Sequence, residues 1–228
     1  GTTIGVYSDG NSNVLFGIGS ILNIGKGAVG LYSLDASKFN NTFKIKTGEK
    51  LVVSLGDNSA LALLSGNTNS SISLKSFLNN NANDKIEINS FGSGASLFYI
   101  KDGSKAVLDE NYTITTGGLN STSVLVGTGS GSKVEISSGK TLKTNTHVGL
   151  VATDSSTAEN SGILESTRNK GVGVYASQST AINSTTGAIK MTMDESVGIL
   201  GENNSSLKNS KYITLSGKSS AGIYGKDS

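Results

Sequence analysis

Proline, cysteine and tryptophan are absent from this chain, and histidine and arginine occur once each, as His147 and Arg168. Without cysteine there is no disulfide framework, no thiolate metal site and no cysteine nucleophile. Without proline, every residue keeps the backbone N–H that a hydrogen-bonded ladder needs. Charge is sparse: 19 basic against 17 acidic side chains among 228 residues leave a formal net charge of +2. A nucleic-acid partner requires clustered Lys and Arg. Here the lysines are dispersed and often flanked by acids, as in Asp84-Lys85-Ile86-Glu87, so no nucleic-acid partner is expected. No apolar run approaches the ~18 residues that span a bilayer. The opening Gly1-Thr2-Thr3-Ile4 has none of the features of a signal peptide, so the sequence is expected to be a piece of something longer.

What is present is small and polar. Ser, Thr, Asn and Gly supply 110 of the 228 residues. That argues against a helical bundle, which draws on Ala, Leu, Glu and Lys. The low net charge and the recurring apolar residues argue against disorder.

A short module returns along the chain: an apolar residue, Gly, an aliphatic, Tyr or an aliphatic, then a small residue. It occurs as Ile4-Gly5-Val6-Tyr7-Ser8, Val29-Gly30-Leu31-Tyr32-Ser33, Val148-Gly149-Leu150-Val151-Ala152, Val172-Gly173-Val174-Tyr175-Ala176, Val197-Gly198-Ile199-Leu200-Gly201 and Ala221-Gly222-Ile223-Tyr224-Gly225. Degenerate copies fill the middle, with Ala62, Ser96 and Val124 in the glycine's place. The period is 24 or 25 residues at both ends and longer between residues 30 and 124. Between modules lie short alternating pieces such as Lys133-Val134-Glu135-Ile136-Ser137 and Tyr212-Ile213-Thr214-Leu215, bounded by turn-forming clusters.

Two or three such strands plus corners make one winding of an all-β, right-handed parallel β-helix, here a solenoid of about eight to nine coils forming one unit over residues 1–228. A propeller needs longer blades, and leucine-rich repeats carry a consensus that is missing. Alternation places the residues one before, one after and three after the glycine inside. The residue two after it faces outward, giving a stripe of Tyr7, Tyr32, Leu64, Phe98, Val126, Val151, Tyr175, Leu200 and Tyr224.

Motifs that carry chemistry are thin. Gly25-Lys26-Gly27-Ala28-Val29-Gly30 spells a dinucleotide fingerprint but runs into a strand module, where the fingerprint needs a helix. His147 has no Gly-x-Ser-x-Gly elbow to serve. The acid pairs Asp109-Glu110 and Asp194-Glu195 would point to opposite faces of a strand. Asp9-Gly10-Asn11-Ser12-Asn13 lacks the glycine and glutamate of a calcium loop. No catalytic, cofactor-binding or metal-ligating residue is therefore assigned, and no enzyme activity is expected.

Insertions in a solenoid emerge as loops. A binding site is therefore sought in the enlarged coils, residues 66–122: Asn79, Asn80, Asn81, Asn83 and Asp84 in a loop, with the aromatic rings of Phe77, Phe91 and Tyr112 nearby.

Modules such as Gly171-Val172-Gly173-Val174-Tyr175-Ala176 and Ser220-Ala221-Gly222-Ile223-Tyr224-Gly225 resemble those of bacterial type V autotransporter passengers, and the low-charge, Lys-over-Arg, Asn/Ser/Thr-rich style resembles the large fusobacterial outer-membrane adhesins. The resemblance covers residues 1–38 and 148–228. It implies a signal peptide upstream, a translocating barrel downstream as the only membrane attachment, and an extracellular, cell-surface location. It further implies coaggregation or host-cell attachment through a surface protein or glycan, as an adhesin. Two other readings stay open at the level of sequence: a pure spacer beneath a distal binding domain, and a glycan-degrading β-helix enzyme.

Overall fold

The computed structural model describes residues 3–8, 14–17, 19–34, 43–46, 48–66, 71–73 and 86–227. Among them every regular element is a strand, 25 in chain order, and every pairing is parallel. A parallel ladder with no hairpin requires a crossover between partners, and here each crossover is the rest of one winding. The chain is a parallel β-solenoid of about eight turns.

One sheet runs its whole length, in the order β1 (Ile4–Ser8), β4 (Val29–Ser33), β7 (Ala60–Ser65), β10 (Ser96–Lys101), β13 (Ser123–Thr128), β16 (Val148–Thr153), β19 (Val172–Ser177), β22 (Val197–Glu202) and β25 (Ala221–Lys226). We call it the long sheet. A second sheet stacks β8 (Ser71–Ser73), β11 (Lys105–Leu108), β14 (Lys133–Ile136), β17 (Thr157–Asn160), β20 (Thr180–Asn183) and β23 (Ser206–Asn209). A third stacks β12 (Tyr112–Ile114), β15 (Thr141–Thr144), β18 (Ile163–Ser166), β21 (Ala188–Met191) and β24 (Tyr212–Leu215). In the early coils, β2 (Val14–Phe16) pairs β5 (Phe43–Ile45), and β3 (Ile21–Ile24), β6 (Leu51–Leu55) and β9 (Ile86–Phe91) form a three-stranded sheet.

The core is a set of columns, one residue per coil. On the long sheet Leu31, Ala62, Phe98, Leu125, Leu150, Val174 and Ile199 follow one another in register, all without exposure. Volumes trade off within a coil. Where the next inward position of the long sheet shrinks to Gly127 or Gly201, the facing residue of the second sheet is Val134 or Leu207; where it is Ala152 or Ala176, the facing residue is Ala158 or Ala181. A Cβ added to Gly201 would lie 2.6 Å from the Leu207 side chain. A narrow interior at crystal-like density explains the exchange.

Polar columns replace apolar ones at two places. Asn160 and Asn183 are fully buried; Asn160 Nδ2 donates to Asn183 Oδ1 at 2.8 Å, and Asn183 Nδ2 donates to Asn209 Oδ1 at 2.8 Å. The ladder stops at Ile136, the register partner of Asn160, and Asn160 Oδ1 is left without a hydrogen bond. At the corner between the long and second sheets, buried Ser104, Ser132, Ser156 and Ser179 occupy successive coils. The Gly103 N–H donates to Ser132 Oγ at 3.1 Å, and the Ser156 N–H donates to Ser179 Oγ at 3.2 Å. Each hydroxyl thus satisfies a backbone group that the corner removes from the ladder.

Two parts of the face assignment made from sequence are corrected. First, a Cβ built on Gly173 would point at Ile189 and Leu164, both core residues, so the glycine lies inside, and Val172, though only 7% exposed, lines the groove on the other face. Alternation slips by one step at this position in every coil: Gly173 and Val174 both turn inward, as do Leu61 with Ala62, Leu97 with Phe98 and Val124 with Leu125. Second, the outward stripe contains Leu63 and Tyr99 in place of Leu64 and Phe98, which are fully buried. In those coils Leu61 and Leu97 occupy the glycine position, one residue away from where the degenerate modules put it.

Candidate functional site

The outer face of the long sheet carries three rows of side chains. The row before the glycine is small or aliphatic: Val29, Ala60, Ser96, Ser123, Val148 and Val172. The row two after the glycine is the corrected stripe, and the row two further on is polar, including Lys101, Thr128, Thr153, Ser177 and Glu202. Together the first two rows form an open groove of about 810 Å³. Its walls include Leu63, Tyr99, Tyr175 and Leu200; between the two tyrosines the stripe drops to Val126 and Val151, a shallow notch two coils tall.

The polar groups of the face are tied down. Tyr175 Oη donates to Glu202 Oε2 at 2.9 Å, and burial together with that carboxylate pushes the phenol's pKa up. The Thr153 hydroxyl donates to Thr128 at 3.0 Å, and Thr128 in turn to Asp154 at 2.8 Å. At the start of the groove, Tyr7 and Tyr32 stack with ring centroids 5.5 Å apart.

One rim of the groove is the corner that leads into the long sheet, and it explains the unique histidine and arginine. In most coils a residue with positive φ stands there: Gly27, Asn58, Gly94, Ser121, Lys170, Glu195 or Ser219. Its N–H donates to a carbonyl of the next coil, as from Asn58 to Ser93 at 2.8 Å and from Lys170 to Asp194 at 3.0 Å. Ser121 has no such carbonyl, and its N–H donates instead to His147 Nδ1 at 3.1 Å. One coil on, Arg168 donates to the carbonyl oxygens of Gly118 at 2.7 Å and of Asn145 and Leu119, both at 3.3 Å. The imidazole and the guanidinium together complete a corner whose backbone pattern is broken. Burial and the Arg168 charge lower the His147 pKa, against a hydrogen bond to the Lys170 backbone. As the acceptor for Ser121, Nδ1 of that ring is committed to structure, and the same bond places the proton on Nε2.

The acids considered for glycan chemistry are engaged one by one. Asp109 accepts from the Ser73 hydroxyl, Glu110 pairs Lys140 at 3.4 Å, Asp194 accepts from the Lys218 N–H at 2.7 Å, and Glu195 pairs Lys170 at 3.4 Å. On the second sheet Lys133 bridges Glu135 at 2.7 Å and Glu159 at 2.8 Å. Burial lowers the Lys133 pKa, but the two carboxylates outweigh it and leave it raised. Among the described residues no three His, Asp or Glu side chains gather as metal ligands do. Gly25–Gly30 spans the tight turn between β3 and β4, with no helix after it.

Of the residues singled out in the enlarged coils, Phe77, Asn79, Asn80, Asn81, Asn83 and Asp84 lie outside the described residues, as does the Asp9–Asn13 cluster. Phe91 and Tyr112 are corrected: at 4% and 2% exposure they are core rings. Burial drives the Tyr112 phenol's pKa well above its ordinary value. Phe91 ends β9, turned inward by a bulge between Ile88 and Ser90, and Tyr112 opens β12 on its inward face, so neither ring can meet a partner. The groove itself was missed because its two rows were split between faces by the slip at the glycine. The available signal was the recurrence of Val or Ala just before Gly together with Tyr two residues after it. Comparison with protein-family models, with curated proteins and with solved structures yields no match to this chain.

Proposed function

We propose that this chain is a non-catalytic segment of a cell-surface adhesin, a stiff β-solenoid that attaches to a surface protein or glycan through the outer face of its long sheet. The observation that carries this reading is the groove: an apolar, tyrosine-walled face along a column of stacked strands. The groove is concave, with an almost covered floor of Val126, Val148 and Val172 and half-exposed walls, and concave apolar sites edged by a few polar groups are where ligands bind. Asp109, Glu110, Asp194 and Glu195, the acids weighed for glycan chemistry, each have a partner already, and His147 Nδ1 serves the backbone, which favours binding over chemistry at these residues. The resemblance to autotransporter passengers supports the surface location, and a chain without cysteine suits export in extended form.

The test is binding of the purified chain to host and microbial cells. Saturable binding is expected, and Val151→Glu, which puts a charge on the groove floor, should weaken it at least tenfold. Thr157→Glu, on the outer face of the second sheet, should leave it unchanged. Binding indifferent to Val151→Glu would refute the face, and no binding to any cell would favour a spacer.

A further inference from the structure

We infer that the groove face takes a second copy of this same chain, in a two-fold, antiparallel, face-to-face pair centred on Val151. The inference rests on the reading that the long sheet's outer face is a contact surface, and names its partner. A two-fold axis along the strand direction through β16 lays each row of side chains on the same row of the other copy, with the coil order reversed. The β13 strand then faces β19 of the second copy, β10 faces β22, and β7 faces β25.

That register matches bulk with notch and charge with charge. Tyr175 comes opposite Val126, the low point of the stripe, and Tyr99 opposite Leu200. In the polar row Lys101 faces Glu202, twice by symmetry, Thr128 faces Ser177, and Thr153 meets itself. On the rim Lys170 faces Ser121 and Glu195 faces Gly94, so these two charges meet neutral residues. The axis also brings the two copies of Asp154 near each other, a repulsion eased by the Thr128 hydroxyl that donates to each at 2.8 Å. Lys101 must be shared between Glu202 of the second copy and Asp102, which it pairs at 3.5 Å in its own copy. Sliding the partner by one coil destroys the match. In one direction Lys101 meets Lys226; in the other it meets Ser177, and Glu202 meets Ser65. Like charges set face to face penalise the wrong register, while the opposite pairs select the right one.

The size is adequate. Seven facing strands at ~4.8 Å spacing and about 20 Å of strand length give roughly 700 Å² of face per copy, close to the ~800 Å² of a standard interface. The two-fold closure uses up both faces, so it yields a dimer and not a fibre.

The experiment is sedimentation equilibrium on the chain and on three variants. A concentration-dependent monomer–dimer equilibrium is expected. Lys101→Glu and Glu202→Lys should each weaken it about tenfold, and the double exchange K101E/E202K should restore it to within about threefold of the original. Because the chain has no cysteine, Val151→Cys with a short bis-maleimide should give a covalent dimer, whereas Thr141→Cys on the third sheet should not. A chain that stays monomeric at millimolar concentration, single charge variants the double exchange fails to rescue, or no cross-link at residue 151 would each overturn the pairing. A wild-type monomer that still binds cells through the groove face would sink this inference alone. Because the closed dimer covers the groove, cell binding is read on the dissociated Lys101→Glu variant, and its absence there with the wild-type dimer intact would sink the adhesive reading alone.

Discussion

Replacing Gly173 with valine is expected to lower stability by about 3 kcal/mol, measured by urea denaturation with the long-sheet strands intact elsewhere. A Cβ at this position would lie 2.5 Å from the Gly198 carbonyl oxygen and 3.1 Å from Ile189. The first of these contacts is with backbone that belongs to the next coil's ladder, so relief would require moving the coil as a whole. Gly149 and Gly198 repeat the arrangement, each with a prospective Cβ 2.8 Å or less from the carbonyl of the following module glycine. Gly17 has open space around its prospective Cβ, and Gly17→Val should change stability by no more than about 0.5 kcal/mol. Equal effects at the two sites would mean that the close approach of successive coils is not as described.

The second large effect concerns the asparagine ladder. Asn183→Leu removes the acceptor of Asn160 Nδ2 and the donor to Asn209 Oδ1 in one step. Asn160 Nδ2 keeps only its 3.1 Å bond to the Ala188 carbonyl, Asn209 Oδ1 and the Tyr212 carbonyl lose a donor, and a cost of about 2 kcal/mol is expected. Asn160→Leu is different in kind. Its Oδ1 is already without a partner beneath Ile136, and its loss takes a donor from Asn183 Oδ1 and from the Ala188 carbonyl, to which Nδ2 also donates at 3.1 Å. That variant should cost about 1 kcal/mol. Urea midpoints of the two variants decide the matter: the order Asn183→Leu well below Asn160→Leu is predicted, and the reverse order would contradict the ladder's direction.

The coil period was legible because a narrow interior admits few side chains, so the same sizes must return at each winding. The Tyr or aliphatic residue two after the glycine, on the outer face, was legible from its fixed offset from that marker in the regular coils, where Val151, Tyr175 and Leu200 align as expected. The middle coils were not, because Leu61 and Leu97 fill the space that Gly30 and Gly173 leave empty. With a bulky residue at that position the module loses its marker, and the alignment drifts by one residue. The face of Val172 was misplaced because strict alternation has no term for two successive inward residues, which every coil has at the glycine position whichever residue fills it. Phe91 and Tyr112 were misplaced for a related reason: nearness in sequence to a loop says nothing about which way a strand residue points. The ladder of Asn160, Asn183 and Asn209 left a trace in the sequence, asparagine returning at about the coil period, but in a chain with 22 asparagines that trace is faint.

The stacked column can be tested by distances along its length. Spin labels on introduced cysteines, one fixed at Lys226 and its partner moved to Ser177, Thr153, Thr128 and Lys101, occupy one outward row two, three, four and five coils apart. In dilute, monomeric chain the separations should rise linearly, to about 10, 14, 19 and 24 Å, at ~4.8 Å per coil. Distances that level off or fall as the sequence separation grows would place these residues in a closed barrel or in separate lobes, and would contradict the solenoid and every inference built on its registers.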